Sequence, residues 1–80
     1  MSIVVFSKQG CVQCDMTKKV LDRLGHQYRV KMIDAEGEEG AANMADFREQ
    51  GFSSLPVVVA GNEKWAGFQP AKLNTLVKTA

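Results

Sequence analysis

Residues 3–14 read IVVFSKQGCVQC, and their interpretation decides the rest. Ile3, Val4, Val5 and Phe6 form a short apolar run rich in β-branched residues. It stops at Ser7-Lys8-Gln9-Gly10, so it predicts a buried strand closed by a polar loop. Beyond the loop the period changes. Val12, Met16, Val20, Leu21 and Leu24 recur at steps of four, four, one and three, one face of a helix, and Gly25 stands where a left-handed C-cap would end it. Cys11 and Cys14 fall where strand gives way to helix.

Outward from this unit, Tyr28, Val30 and Met32 alternate with Gln27, Arg29 and Lys31, which predicts a half-buried strand ending near Ile33. Asp34 to Gly40 is acidic and glycine-bearing, and is expected to be a loop. It leads into a second helix over Ala41, Met44, Ala45 and Phe47 that closes near Gly51, with the acidic cluster suited to the helix N-terminus. Pro56 to Ala60 is a third strand. Gly61-Asn62 is a hairpin signal, returning through Lys64, Trp65 and Ala66 as a fourth. Pro70 fits the first turn of a last helix with an inner face of Leu73, Leu76 and Val77.

The expected order is β-α-β-α-β-β-α, an α/β fold with a four-stranded mixed sheet and three helices. The first crossover should be parallel and right-handed, the last two strands an antiparallel hairpin, and helices should cover both faces of the sheet. Eighty residues are expected to make a single domain, 1–80. Hydrophobic residues at 45% and charged residues at 24% place the chain in the ordinary globular range, which argues against disorder and against a membrane protein. A net charge of +1 gives no basic field to attract nucleic acid or anionic lipid, so neither is an expected partner. The apolar opening is too short for a signal peptide or a bilayer span; the expectation is a cytoplasmic protein whose thiols are kept reduced.

Cysteines three apart at a helix start lie one turn from each other, close enough to join with little backbone movement. The first would sit near the free amides and positive end of the helix dipole, which favours thiolate over thiol. Cys11 is therefore expected to be exposed and nucleophilic, and Cys14, one turn deeper, to resolve the mixed disulfide. Plain packing is the competing reading for two cysteines, but the strand before them and the amphipathic helix after them argue against it. Zinc would need about four ligands, and His26, the one other soft donor, belongs to the far end of the helix. Lys8 could add positive potential near Cys11 or be a solvated loop lysine. Asp15 would oppose it if it faced the sulfurs, or would point to water. Leu55-Pro56 stands ahead of the third strand, where a proline can simply open a strand, and sequence alone does not set its isomer. By its place in this order it resembles the cis step that redoxin-like sheets set beside the cysteines to present backbone groups to an extended partner chain, and cis is the expectation.

CVQC at 11–14, the Leu55-Pro56 step and the run Trp65-Ala66-Gly67-Phe68-Gln69-Pro70 together resemble the NrdH-redoxins, a glutaredoxin-like branch of the thioredoxin-fold superfamily. The Lys8 loop, Thr17 and the VVVAGN turn also fit, so the resemblance covers almost the whole chain. It implies a thioredoxin/glutaredoxin fold and a dithiol–disulfide oxidoreductase that takes electrons from thioredoxin reductase and passes them to the large subunit of class Ib ribonucleotide reductase. Cys11 would attack the target disulfide and Cys14 would resolve it. Lys8, Val12, Gln13, Leu55, Pro56, Trp65, Gly67 and Phe68 are the implied partner-binding residues, with Trp65 both covering the core and offering an apolar platform. No cofactor is expected on the chain beyond a redox-active Cys11–Cys14 disulfide, with NADPH and FAD entering only through the reductase, and the protein is expected to be a monomer.

The chain departs from the family's usual W-S-G-F-R-P at Ala66 and Gln69. Alanine removes a hydroxyl, and glutamine loses the charge and planar fork of arginine. Some loosening of the loop before the last helix is the expectation. Glutathione-dependent glutaredoxins are the nearest alternative, but they usually carry a Gly-Gly pair and acidic residues where this chain has Ala66-Gly67-Phe68-Gln69-Pro70. A redox-sensing regulator is a further alternative that usually needs extra helices for partner contact.

Overall fold

A computed structural model describes residues 2–76. Its order is β1 (Ile3–Ser7), α1 (Val12–Arg23), β2 (Arg29–Met32), α2 (Gly37–Glu49), β3 (Val57–Ala60), β4 (Glu63–Ala66) and α3 (Pro70–Asn74). The strands lie side by side as β2-β1-β3-β4. β1 runs parallel to β2, in register Val5 with Val30, and antiparallel to β3, where Val5 faces Val58. β3 and β4 form the expected hairpin, with Val58 opposite Trp65. This is the mixed four-stranded sheet with three helices that the pattern predicts.

The period-two alternation of β1 explains why both faces are covered. Ile3 and Val5 point to one side, where they meet Val20 and Leu21 of α1, Leu73 of α3, and Val58, Ala60 and Trp65. Phe6 points to the other, against Phe47 of α2 and Val57, with rings 6.0 Å apart for the two phenylalanines. Gly25 has φ +78°, the left-handed conformation expected of a residue just past a helix end. Pro70 occupies the first turn of α3, and Val77 lies outside the described residues. No helix among the described residues is long and apolar enough to cross a membrane.

Three local expectations are corrected. The buried face of α1 is Cys14, Thr17, Val20 and Leu21, while Val12 and Met16 are exposed. Thr17 can be buried because its hydroxyl donates to the Gln13 carbonyl at 2.9 Å. Helix α2 starts at Gly37, inside the stretch expected to be a loop. Gly40 lies on its buried side, where a Cβ would overlap the Ala35 carbonyl, and buried Asn43 donates to the Met32 carbonyl at 2.9 Å. These inward positions carry no apolar signal, so periodicity could not find them. In edge strand β2, Arg29 and Val30 are both exposed, so the half-buried alternation does not hold.

Candidate active site

The β1–α1 loop delivers Cys11 to the N-cap of α1 in extended conformation, φ −93° and ψ 103°. Its Sγ accepts the backbone N–H of Cys14 at 3.2 Å, and its carbonyl accepts that of Asp15 at 3.1 Å. The two sulfurs are joined in a disulfide, with Cα atoms 5.2 Å apart. Cys14 is fully buried, whereas Cys11 is half-buried rather than exposed, its sulfur folded back over the first helical turn. Asp15 is exposed and its carboxylate lies 3.4 Å from Lys18 Nζ, an ion pair along the helix.

On one side of Cys11 lies an open cleft of about 340 Å³, lined by Lys8, Ile33, Phe47, Ser53, Ser54 and Leu55. Lys8 and Leu55 were expected near the dithiol; the other four come from the β2–α2 loop, α2 and the α2–β3 loop, and only the fold brings them together. Asp34 adds a further tie, its Oδ2 accepting the backbone N–H of Gln9 at 3.0 Å and so bracing the loop that ends at Cys11. The Leu55–Pro56 bond is cis, as expected, and Pro56 is buried.

On the other side, Val12 is 71% exposed and Met16 41%. The β4–α3 loop, which reaches this turn at Gln13, carries Gly67, at φ +85°, and half-buried Phe68. This loop is tied at three points. Gly67 N–H donates to the Pro56 carbonyl at 2.7 Å, Phe68 N–H to Gln13 Oε1 at 3.3 Å, and Gln69 Nε2 to the Ala66 carbonyl at 2.9 Å. Gln69, without the charge of the arginine usual at this position, thus bonds its amide to the Ala66 carbonyl of its own turn. Trp65 is 4% exposed within the core against α1 and α3, and Lys72 Nζ stands 5.7 Å from its ring centre. An indole so enclosed offers no platform to a partner; its place in the sheet, opposite Val58, makes it a core residue.

A dithiol turn at a helix N-terminus, with one sulfur sealed and the other at the rim of a cleft, is built for thiol–disulfide exchange. The chain matches the glutaredoxin family model over residues 3–65. It belongs to the glutaredoxin family. Within that family it stands in the NrdH-redoxin branch. It is 37% identical over 76 residues to the glutaredoxin-like protein NrdH of Escherichia coli K12, covering 95% of this chain and 89% of that one. An NrdH-redoxin structure from Escherichia coli, a protein described as having a thioredoxin-like activity profile, superposes with a TM-score of 0.85 at 32% identity over 100% of both chains. A buckwheat glutaredoxin solved with glutathione gives 0.69 at 32% identity, over 88% of this chain and 64% of that one. The glutaredoxin-family chain is accordingly a thiol–disulfide oxidoreductase.

Proposed function

We propose that this redoxin is a single-domain, monomeric, cytoplasmic carrier that takes electrons from a thioredoxin-reductase-type flavoenzyme and delivers them to the large subunit of class Ib ribonucleotide reductase. Cys11 is the nucleophile. Its thiolate attacks one sulfur of the target disulfide, and the departing sulfur leaves as a thiolate that takes up a proton. Cys14 then gives up its proton and attacks Cys11 Sγ, which breaks the mixed disulfide, frees the second target thiol and closes the chain's own disulfide. Two electrons have passed to the target, and NADPH restores them through the flavin of the reductase. The amide of Cys14, aimed at Cys11 Sγ, is placed to favour the thiolate once the pair is reduced. The docking surface is Lys8, Val12, Leu55, Gly67 and Phe68 around the dithiol; Gln13 and buried Pro56 serve it through their bonds to the Gly67–Phe68 backbone.

The observation that carries this choice of electron donor is the β4–α3 loop. Its Phe68 amide is already engaged by Gln13, and the loop offers neither a Gly-Gly pair nor an acidic residue to a glutathione molecule. Likeness to NrdH proteins over nearly the full chain supports the same route. A glutathione-dependent reading has one observation in its favour, the likeness to the glutathione-bound buckwheat protein. A coupled assay separates the two. With NADPH and thioredoxin reductase, NADPH oxidation should follow the amount of this chain when insulin is the acceptor. With glutathione and glutathione reductase it should stay near background. The opposite pattern would assign the chain to the glutathione-dependent class.

A further inference from the structure

Gln13 stands between the two cysteines, and its side chain leaves the dithiol turn altogether. It is exposed, yet its Oε1 accepts the backbone N–H of Phe68, a residue 55 positions later, at 3.3 Å. A Cβ added to Gly67 would meet that same oxygen at 3.9 Å, so the glutamine lies over the whole Gly67–Phe68 step. The Gln13 main chain is fixed as well, since its carbonyl holds the hydroxyl of fully buried Thr17. Among the described residues this is the one side-chain hydrogen bond between the turn 11–14 and the β4–α3 loop. It joins the two segments that carry the apolar groups flanking the dithiol, Val12 on one and Phe68 on the other.

We propose that Gln13 is a positioning residue that sets specificity for protein disulfides over small ones, by fixing the Gly67–Phe68 step to the dithiol turn so that a folded partner meets one preformed surface. The side chain takes no part in the exchange of sulfurs. This proposal rests on the thiol–disulfide exchange described above and is indifferent to which reductase or target serves the chain in the cell. A small disulfide needs only Cys11 and should not feel the loss of the tie. A protein disulfide must cover the surrounding surface, and a loop no longer held in place must be ordered during docking, which slows productive association.

The test uses the full chain, reduced beforehand, in single-turnover reactions with insulin and with neutral 2-hydroxyethyl disulfide. The ratio of the two rates cancels any change in thiolate content. In Q13A the ratio should fall roughly three- to tenfold, which at about 1.4 kcal/mol per decade is the range of one modest hydrogen bond. Q13E keeps an acceptor at the same reach and should recover most of the ratio. Amide exchange at Phe68, followed by NMR, should quicken in Q13A and slow again in Q13E. An unchanged ratio in Q13A would overturn the proposal. So would a fall in the ratio with Phe68 exchange unaltered, because Gln13 would then be touching the partner directly. Equal slowing of both substrates would place Gln13 in the chemistry and also contradict it. A failure of the electron route would show up only in the coupled NADPH assay.

Discussion

The two sides of the sheet are built differently. Against α1 and α3 the core is sealed at its centre: Val5, Leu21, Val58 and Leu73 are wholly buried and Trp65 closes the layer, with Leu24, Tyr28, Phe68 and Leu76 partly covered around it. Against α2 the buried residues are Phe6, Phe47 and Val57, and around them Val4, Ile33, Met44, Phe52, Leu55 and Val59 are only partly covered. The dithiol lies on the border. Cys14 belongs to the buried stripe of α1, while Cys11 lies at the mouth of the cleft on the α2 side. The contrast teaches that one sulfur is anchored by packing and the other is left reachable by its absence. Exchange needs both.

That division makes the two cysteines non-interchangeable, and this is the largest effect to look for. Cys11→Ser should abolish turnover with any disulfide. Cys14→Ser should still attack once and then accumulate a mixed disulfide, visible as a mass increase on a non-reducing gel or by mass spectrometry. Retained turnover in Cys11→Ser would reverse the roles. The packing contrast comes next. Leu21→Ala, on the sealed side, should cost about 3–5 kcal/mol, and Met44→Ala, half-covered on the α2 side, roughly 1–2 kcal/mol, both read from urea unfolding. Equal costs would erase the distinction between the two sides. Gly40→Ala should destabilise by about 1–3 kcal/mol, because the added methyl has to displace the Ala35 carbonyl at the start of α2.

The smallest effect is just before β2, where Tyr28 packs on the α1 side of the sheet. Tyr28 donates its hydroxyl to Asp22 Oδ1 at 2.8 Å. Burial first, then that hydrogen bond and the carboxylate charge, push its pKa up to about 12. The unfolded chain therefore releases this proton near pH 10 while the folded chain holds it, so stability is full below pH 10 and declines between about 10 and 12. Tyr28→Phe should cost about 0.5–1.5 kcal/mol at neutral pH and flatten the decline above pH 10. A decline as steep as before in Tyr28→Phe would assign it to other groups.

How much of this was legible in the sequence follows from where the signal is local. β1, the i/i+3 cysteines, the Gly25 cap, the Gly61-Asn62 turn and Pro70 each announce themselves within a few residues, and the order of elements came out as expected. The N-terminal half of α1 did not. Two stripes share Val20 and Leu21; apolar spacing favours the one through Val12 and Met16, whereas burial runs through Cys14 and Thr17. Cysteine is a habitual interior residue and a threonine can satisfy its hydroxyl on the preceding turn, which was the usable signal. The beginning of α2 was hidden because glycine and asparagine hold its inner face. At the site, both cysteines, Lys8 and Leu55-Pro56 were found from spacing and kinship. Ile33, Phe47, Ser53 and Ser54 were not, since their approach to Cys11 exists only after folding. The Gln13–Phe68 tie spans most of the chain and leaves no pattern to read.

Counting thiols through one round of reaction tests the central claim most directly. The isolated oxidised chain should show no free thiol, gain two on reduction, and lose both for each insulin disulfide it opens, with one NADPH consumed per cycle when the reductase is present. Two thiols persisting while substrate disulfides disappear would mean that Cys11 and Cys14 do not transfer the electrons.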